Sequence, residues 1–375
     1  MSASADDLRQ YHARNPCWHE KTPSKYFNRF NILPHCNIDL SSLDIIPPRW
    51  PTKEISMLTF DDYLNDLSDG SIDPDLIVIL RNIAAATCDI ANRLRTSSLT
   101  GLSGATEAIN VQGETQKPLD ILSNDIMLAA CRHSPAVAFA VSEELDAEVA
   151  IHSGGRYAVI FDPLDGSSNL DVNVTVGTIF SVIQAESTDQ LLARGRGQIL
   201  AGYAAYGPQT NLVLTVGRGV QIFTLDDRGV YVMTTPRATI AEDTKEFAIN
   251  LARRPSWDDV ILDYIEEAIH KPGQNMRWVG SMVADTHRIF NRGGIFLYPA
   301  DRNKPASGRL RLLYEANPIS FLVEAAGGFA IAGDMPILDI EPSSLHQRVP
   351  VIFGSRNEVI KILDAYVGQA AAVDA

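Results

Sequence analysis

The chain has 375 residues, a formal net charge of −14 and a hydrophobic content of 45%. A chain of this length can bury one large core or two. Its acidic balance argues against nonspecific binding to nucleic acid or to an anionic membrane, because either would need a basic face. No window approaches 18 uninterrupted apolar residues, so the sequence predicts no membrane span.

The cysteines and the N-terminus predict the cellular compartment. Four cysteines show neither a C-x-x-C pair nor metal-ligand spacing, which is typical of free thiols in a reducing compartment. The first 15 residues, MSASADDLRQYHARN, lack the apolar core of a secretion signal, and their two aspartates argue against a transit peptide. We therefore expect a cytoplasmic protein.

Residues 1–55 are interpreted as an irregular N-terminal arm. They show no sustained periodicity and end in IIPPRWP, where the prolines block helix and sheet alike. The arm contains more aromatic residues than a solvated tail usually has. We expect it to dock on a neighbouring surface of this or another subunit; the alternative is a mostly disordered arm. The sequence does not indicate its role.

Two helices are predicted after the arm. Over Ile72–Leu94, apolar residues recur at three- and four-residue steps, and Asp73-Pro74 provides an acidic N-cap with proline in the first turn. A second helix is predicted over Leu119–Cys131, with Asp120 in its first turn. An isolated acid at this position is most often a helix-start carboxylate favoured by the helix dipole.

Residues 135–144, PAVAFAVSEE, are predicted to form a strand that ends in Glu143 and Glu144. Taken alone, two acids at the end of an apolar run are more typical of a solvated strand terminus. Their interpretation therefore depends on what lies beside them in the fold.

The most specific pattern lies in the stretch Tyr157–Val182. An apolar run of strand length, YAVIF, is followed by DPLDGSSN. Because proline cannot continue a β-ladder unbroken, we expect the strand to end where the carboxylates begin. Asp162 and Asp165 lie three residues apart, so a tight turn can aim both at one point, where hard oxygen ligands suit Mg²⁺ or Mn²⁺.

Gly166, Ser167 and Ser168 follow these acids directly. A glycine without a Cβ and two hydroxyls beside backbone N–H groups suit the close approach of a phosphate oxygen. Metal ligands next to phosphate donors are what metal-assisted phosphoester hydrolysis requires. The D-P-x-D pattern alone is equally typical of a turn followed by a helix N-cap, but all eight residues together are far more specific.

The rest of the chain predicts layered α/β structure. Four strand-like runs are separated by Gly, Pro or Asp turns, and we expect them to form a second sheet in the C-terminal half: Ile199–Tyr206, Asn211–Val216, Val220–Leu225 and Val230–Met233. Helical patterns then alternate with strand patterns, as in an α/β layered domain. The helices are predicted at 257–270, 282–291 and 317–326, and the strands at 293–298, 309–314 and 350–353.

Positive groups for binding phosphate occur in this half. Arg277 precedes Trp278, and a basic cluster follows Tyr298: Arg302, Lys304, Arg309 and Arg311. Arginine forks match phosphate oxygens bidentately, so the cluster is a candidate site for a phosphate that is not cleaved. Arg302 and Lys304 are more typical of a solvated loop. Glu315 ends a predicted apolar strand, where a carboxylate is hard to place without a partner.

These motifs carry a resemblance to a known family. DPLDGSSN followed by VTVGTIFSV resembles the metal-site signature of class I fructose-1,6-bisphosphatases, within the lithium-sensitive sugar and inositol phosphatases. Further blocks resemble the same family in the same order: LSGATEAINVQGETQKPLDILSNDIM, VSEE, FAIN, RWVGSMVADTHR, GGIFLYPA, LRLLYEANP and LHQRVPVIFGS. The resemblance covers roughly residues 57 to 365 and leaves the arm outside it.

The resemblance implies a fold and an assembly. The fold would be a layered α-β-α-β-α sandwich with two subdomains, each with a mixed sheet. We expect the boundaries to be 56–235 for a subdomain with the metal site and 236–375 for a substrate-binding subdomain. A homotetramer built from dimers is also implied, with Arg277 reaching across a dimer interface.

The resemblance also implies the site residues. Asp120 and Glu144 would be catalytic, orienting or deprotonating the attacking water. The implied ligands of Mg²⁺, with Mn²⁺ as the alternative, are Glu143, Glu144, Asp162, Leu164 through its carbonyl, Asp165 and Glu315. Residues implied to bind the substrate are Asp165, Gly166, Ser167, Ser168, Asn250, Arg277, Trp278, Tyr298 and Arg309.

The implied reaction is Mg²⁺-dependent hydrolysis of fructose 1,6-bisphosphate, as used in gluconeogenesis or the Calvin cycle. Two alternatives stay open: a broader sugar bisphosphatase that also uses sedoheptulose 1,7-bisphosphate, and a weakly active protein that senses sugar phosphates or binds a partner. Three departures from the family concern the sugar pocket: Arg309 replaces a lysine, and Trp278 and Arg253 replace tyrosines. The acidic segment SDGSIDP, at 68–74, argues against the AMP inhibition found in vertebrate-type members.

Overall fold

The computed structural model describes residues 58–68, 70, 72–102, 117–303 and 308–373. The predicted arm and Lys304 lie outside the described residues. The α-helices are α1 (Phe60–Leu67), α2 (Pro74–Arg95), α3 (Ser97–Thr100), α4 (Pro118–Arg132), α5 (Asp259–His270), α6 (Met282–Arg292), α7 (Asn317–Ala325) and α8 (Arg356–Val373). Within these ranges no helix is long and apolar enough to cross a membrane.

The strands form two large sheets and one short ribbon. The first sheet contains β1 (Val137–Ser142), β2 (Val149–Ala150), β3 (Tyr157–Asp165), β4 (Val176–Gln184), β5 (Gln198–Tyr206), β6 (Thr210–Thr215), β7 (Val220–Leu225) and β8 (Tyr231–Ala238). The second contains β9 (Glu246–Ala248), β10 (Asn275–Met276), β11 (Ile295–Tyr298), β13 (Phe329–Ala332), β14 (Met335–Pro336) and β16 (Val351–Gly354). The ribbon pairs β12 (Leu310–Arg311) with β15 (Arg348–Val349).

Both large sheets are mixed. The first runs in the order β2-β1-β3-β4-β5-β6-β7-β8, and its only parallel pair among the described strands is β1 with β3. The second runs β10-β9-β11-β16-β13-β14, in which β9 pairs in parallel with β10 and β11. The predicted mixed sheets are therefore present.

Helices and sheets alternate in five layers, as predicted. Helices α1, α2 and α4 cover one face of the first sheet, α6 and α7 lie between the two sheets, and α5 and α8 cover the far face of the second sheet. Strand β11 shows why the layers form. Its Ile295 and Leu297 point into the core with α5 and α8, whereas Phe296 points into the core with α6 and α7, since neighbouring residues of a strand face opposite ways.

One prediction about the sheets was wrong. The four runs between residues 199 and 233 do form strands, but these extend the first sheet instead of building a second one. The turns that join β5 to β8 are only a few residues long, and such short connections require antiparallel pairing with the strand just before. The second sheet comes from the later strands of the chain.

Two strand boundaries also differ from the sequence prediction. Strand β3 continues through Pro163 to Asp165, with a register shift between Asp162 and Asp165 where the proline lies. The predicted strand at 309–314 is reduced to Leu310–Arg311, after which Leu312–Ala316 forms a π-helical turn that leads into α7. An apolar run this short does not distinguish strand from helix by periodicity.

A glycine at the centre of the second sheet should be intolerant of substitution. Gly354 has φ +144°, and an added Cβ would lie 2.0 Å from the carbonyl oxygen of Gly294, a backbone atom that cannot rotate away. We expect Gly354→Ala to lower the free energy of unfolding by at least ~2 kcal/mol in urea titration. The matched control, Gly368→Ala in α8, has no atom within 4 Å of the added Cβ and should be neutral or slightly stabilising. Equal stability of both variants would contradict this packing.

Candidate active site

Acidic side chains from separate parts of the chain meet beside the end of strand β3. Asp162, Asp165 and Glu315 are buried, and each offers a carboxylate oxygen within 4.8 Å of the others. Glu143, also buried, follows β1 directly and donates its backbone N–H to the Phe161 carbonyl at 3.1 Å. The parallel pairing of β1 with β3 therefore brings the glutamates after β1 next to the DPLD turn.

The register shift in β3 shapes the DPLD turn. The described ladder with β4 pairs Asp162 with Ile179 and Asp165 with Gly177, and it skips the two residues between them. Asp162 accepts a hydrogen bond from the Leu164 N–H at 2.9 Å, and the buried Thr178 hydroxyl donates to the Pro163 carbonyl at 2.9 Å. The bulge thus turns both aspartates toward one point, as bulges beside active sites often do.

Glu315 enters the cluster from the π-helical turn. Its carboxylate accepts a hydrogen bond from the Arg311 N–H at 2.5 Å, four residues earlier, so the turn and the carboxylate fix each other. The Arg311 guanidinium in turn lies 2.9 Å from the Glu143 carboxylate, and both side chains are buried. The Arg311 guanidinium therefore places one positive charge within the carboxylate cluster.

The electrostatics of this cluster are unfavourable for four ionised carboxylates. Burial, opposed by the hydrogen bond from the Val283 N–H and assisted by the charge of Glu143, raises the pKa of Asp165 to about 7. Burial also raises the pKa of Asp162 and of Glu315 well above their usual ranges, and in both cases the neighbouring Glu143 is the next cause. Buried oxygen donors that repel one another in this way match the ligand set that hard divalent cations require.

The segment after the cluster has the geometry of an anion cradle. Gly166 has φ +76°, a left-handed conformation that suits glycine, and it precedes the 3₁₀ turn Ser167–Val172. Helix α6 begins beside it: the Val283 N–H donates to Asp165 at 3.2 Å, and an added Cβ on Gly166 would lie 3.3 Å from the Ser281 hydroxyl. A helix N-terminus favours negative charge, so it stabilises the Asp165 carboxylate and would favour an anion at the Gly166 turn.

Asp120 lies at the start of α4, close to this cradle. One of its carboxylate oxygens accepts a hydrogen bond from the Lys117 N–H at 2.8 Å, and the other is buried without a partner among the described residues. Burial raises the pKa of Asp120, whereas the Lys117 N–H and the Ser167 hydroxyl lower it. The Lys117 ammonium binds Asp171 of the 3₁₀ turn at 2.7 Å, which ties the start of α4 to the cradle.

A separate cavity of about 850 Å³ contains three of the predicted substrate-binding residues, Asn250, Tyr298 and Arg309. It is also lined by polar groups that the sequence did not predict, among them Ser343 and Arg348. The Asn250 side chain caps the 3₁₀ helix Leu251–Ser256 by accepting from the Ala252 N–H at 3.1 Å.

Arg277 and Trp278 do not line this cavity. Arg277 is half exposed, and its guanidinium lies 3.8 Å from the Glu246 carboxylate. Trp278 stacks on Phe296 with ring centroids 5.7 Å apart and the planes 13° from parallel. Their predicted role in substrate binding stays a prediction.

The structure corrects the predicted basic cluster. Arg311 is bound to Glu143 in the carboxylate cluster and is not part of the cavity, while Arg302 donates to the Trp257 carbonyl.

Sequence reasoning also missed Lys117 and Thr178. Lys117 gave no local signal of its partner, since Asp171 is 54 residues away. Thr178 could have been suspected because it is one of the few polar residues of a mostly apolar strand.

Comparison with known proteins gives consistent matches over most of the chain. The family model "Fructose-1-6-bisphosphatase, N-terminal domain" matches residues 65–236, and "Fructose-1-6-bisphosphatase, C-terminal domain" matches residues 240–367.

Individual relatives agree with these family models. The class 1 fructose-1,6-bisphosphatase of Acinetobacter baumannii is 46% identical over 320 residues, which cover 82% of this chain and 99% of the relative. That of Neisseria meningitidis is 47% identical over 75% of this chain and 90% of its own. The crystal structure of Leishmania major fructose-1,6-bisphosphatase in holo form has a TM-score of 0.79 at 35% identity, covering 83% of this chain and 99% of its own.

A metal-dependent stability test follows from the carboxylate cluster. A ligand that binds only the folded state at 100 times its dissociation constant stabilises by ~2.7 kcal/mol, so saturating Mg²⁺ should raise the Tm of the wild type. We expect Asp162→Asn to lose most of this increase. Without metal, the same variant should be at least as stable as the wild type, because one repelling charge is gone.

The matched control for this thermal melt is Asp89→Asn, which changes an exposed aspartate paired with Arg93 on α2. It should keep the full Mg²⁺ response. An equal response in Asp162→Asn would show that the cluster is not where the cation binds.

Proposed function

The chain belongs to the fructose-1,6-bisphosphatase family, and we propose that its buried carboxylate cluster holds the divalent cations of this metal-dependent enzyme. The reaction is hydrolysis of the 1-phosphate of fructose 1,6-bisphosphate to fructose 6-phosphate and phosphate. The observation that carries the site proposal is the buried cluster of Asp162, Asp165 and Glu315, next to the Gly166 turn and a helix N-terminus.

The proposed ligands are the side chains of the cluster together with its neighbours: Glu143, Glu144, Asp162, Asp165, Glu315 and the Leu164 carbonyl. The family is metal-dependent; we propose Mg²⁺, with Mn²⁺ as a substitute, because every donor is a hard oxygen. When bound, the cation supplies Lewis acidity and compensates the charge of the phosphoryl group.

The protein's own groups would bind and orient the scissile phosphate. Gly166 allows close approach to the backbone, and Ser167 and Ser168 offer hydroxyl and N–H donors. The N-terminus of α6 adds a favourable electrostatic field. Such preorganised donors stabilise the charge that develops in phosphoryl transfer.

We assign to Asp120 and Glu144 the role of accepting the proton of the attacking water. Asp120 has one carboxylate oxygen held by the Lys117 N–H, so the other is oriented and buried beside the cradle. Glu144 is fixed through its backbone N–H, which donates to the Ser142 hydroxyl at 3.3 Å. Burial raises the pKa of Asp120, and a positioned carboxylate with a raised pKa is suited to accept a proton near neutral pH.

The wider setting follows from the family. The enzyme acts in carbohydrate metabolism, including gluconeogenesis; we propose that it also serves the Calvin cycle and that it is cytoplasmic. A homotetramer is proposed as well. In support of this assembly, Arg277 is half exposed and outside the substrate cavity of its own chain, so it is available to a neighbouring subunit.

A broader sugar bisphosphatase is the second candidate. The observation that favours it is the size of the cavity, about 850 Å³, which is near the upper end for a small-molecule site. It leaves room for a seven-carbon sugar, and at its lining Arg253 stands where the family usually has tyrosine and Arg309 where it usually has lysine.

The variant Asp120→Asn should lose catalytic activity while it keeps the ability to bind metal. The amide can still accept from the Lys117 N–H but cannot take a proton, so we expect kcat to fall by ~10²–10⁴ with KM little changed. Phosphate release from fructose 1,6-bisphosphate measures this. The Mg²⁺-induced rise in Tm should persist in Asp120→Asn and disappear in Asp165→Asn, which should also be inactive. More than a tenth of the wild-type kcat in Asp120→Asn would remove this residue from the mechanism.

The substrate range can be measured directly. Phosphate release from fructose 1,6-bisphosphate and from sedoheptulose 1,7-bisphosphate, at equal concentration and saturating Mg²⁺, gives the ratio of kcat/KM values. The cavity volume predicts measurable turnover of both, within about two orders of magnitude of each other. No detectable release from the seven-carbon substrate would exclude the broader function and leave fructose 1,6-bisphosphate hydrolysis intact.

A further inference from the structure

The bulge in strand β3 leaves Pro163 and Leu164 without partners in the described ladder, and Thr178 of β4 is the one residue opposite them. Both bulge residues are buried, so their backbone polar groups need other partners. The Thr178 hydroxyl donates to the Pro163 carbonyl at 2.9 Å. A side chain thus replaces the backbone N–H that a regular ladder would supply at this point.

The peptide between Pro163 and Leu164 is held at both ends. Its carbonyl accepts from Thr178, and its N–H, on Leu164, donates to the Asp162 carboxylate at 2.9 Å. Because the proline ring fixes φ of Pro163, the main freedom left to this peptide is rotation about ψ. The two hydrogen bonds oppose that rotation, so the Thr178 hydroxyl also controls the orientation of the Asp162 carboxylate.

A second hydroxyl supports the first. The Tyr206 hydroxyl lies 2.8 Å from Thr178 Oγ1. Since a carbonyl can only accept, the single Thr178 proton points at Pro163, and Tyr206 therefore donates to Thr178. Tyr206 ends β5 two residues after Ala204, the cross-strand partner of Thr178, so the tyrosine reaches the threonine diagonally across the sheet.

Both hydroxyls lie in apolar surroundings. Thr178 is fully buried, and Tyr206 packs in the core between the first sheet and the helices that cover it. Burial raises the pKa of Tyr206 well above its ordinary value, so the phenol keeps the proton that it donates. Hydrogen bonds in such surroundings strengthen one another, and a buried hydroxyl that loses its partner is costly. The two groups therefore form a fixed chain from Tyr206 through Thr178 to the DPLD turn.

We propose that Thr178 and Tyr206 are positioning residues for cation binding at the carboxylate cluster. The inference rests on the proposed function, in which Asp162 and the Leu164 carbonyl are ligands. Thr178 acts through the peptide between Pro163 and Leu164, and Tyr206 acts through Thr178. Residues that orient metal ligands in this way typically contribute a factor of ~10–100 to metal affinity.

The test is a titration of Tm with Mn²⁺, which gives an apparent Kd for the cation without any turnover. Thr178→Val keeps the shape of the side chain and removes its hydroxyl, so we expect the apparent Kd to increase ~10- to 100-fold. Thr178→Ser keeps the hydroxyl and should bind Mn²⁺ nearly as the wild type does. Tyr206→Phe removes only the outer hydroxyl, so the increase should be ~2- to 10-fold.

Hydrolysis gives a second measure of the same effect. In Thr178→Val the Mg²⁺ concentration that supports half of the maximal rate should increase by the factor found in the titration. The value of kcat at saturating Mg²⁺ should change little, because the hydroxyl orients a ligand and does not contact the substrate.

The chain offers a matched pair of hydroxyls on another element of the same core. Thr87 of α2 is fully buried, donates to the Ala84 carbonyl at 2.9 Å and lies 3.0 Å from the Tyr231 hydroxyl. Thr87→Val and Tyr231→Phe therefore remove the same kinds of hydrogen bond, and they should lower the metal-free Tm to a similar extent. Neither should change the apparent Kd for Mn²⁺, which separates ligand positioning from a general loss of stability.

The outcomes distinguish this inference from the proposed function. An unchanged apparent Kd in Thr178→Val, or an equal increase in Thr87→Val, would overturn the positioning role. If Thr178→Val does not fold, Tyr206→Phe compared with Tyr231→Phe decides in the same way. A wild type without any Tm rise that Asp162→Asn abolishes would overturn the proposed cation site as well. A wild type that binds Mn²⁺ but releases no phosphate would contradict the reaction, while the titration would still decide the role of Thr178.

Discussion

The repulsion among four buried carboxylates is the constraint on which this active site depends. Asp162, Asp165 and Glu315 converge within 4.8 Å in a buried environment, and Glu143 raises the pKa of each of them. A fold gains nothing in stability from such a cluster without compensating charge. Arg311 supplies one positive charge, and a divalent cation would supply the rest.

The surrounding fold can be understood as what holds these acids in place. Parallel pairing of β1 with β3 positions Glu143, a bulge at Pro163 aims the two aspartates, and a π-helical turn brings in Glu315. Helix α6 then directs its N-terminus at Asp165 and the phosphate cradle. The same ribbon that carries Arg311 also lines the large cavity, through Leu310 and Arg348.

Local sequence patterns predicted many of the helices and strands and the DPLD turn. They did not predict features that depend on which strands pair with each other. The strand and turn that carry Asp162 and Asp165, and the helices over Ile72–Leu94 and Leu119–Cys131, follow from residue type and spacing. The convergence of Glu143 and Glu315 on that turn came from the family resemblance, since no local pattern links residues so far apart. Arg311 was misassigned because its partner depends on the register of β12 and on the turn after it. Strand periodicity also does not show which sheet a strand joins. The strands after residue 198 join the first sheet because the connections between them are short.

The central claim is that the carboxylate cluster is the cation site, and diffraction from crystals grown with MnCl₂ tests it most directly. Data collected at the manganese absorption edge should show an anomalous peak within coordination distance of the Asp162, Asp165 and Glu315 carboxylates, and no such peak in Asp162→Asn. A peak coordinated elsewhere, or none at Mn²⁺ concentrations that support turnover, would contradict the account.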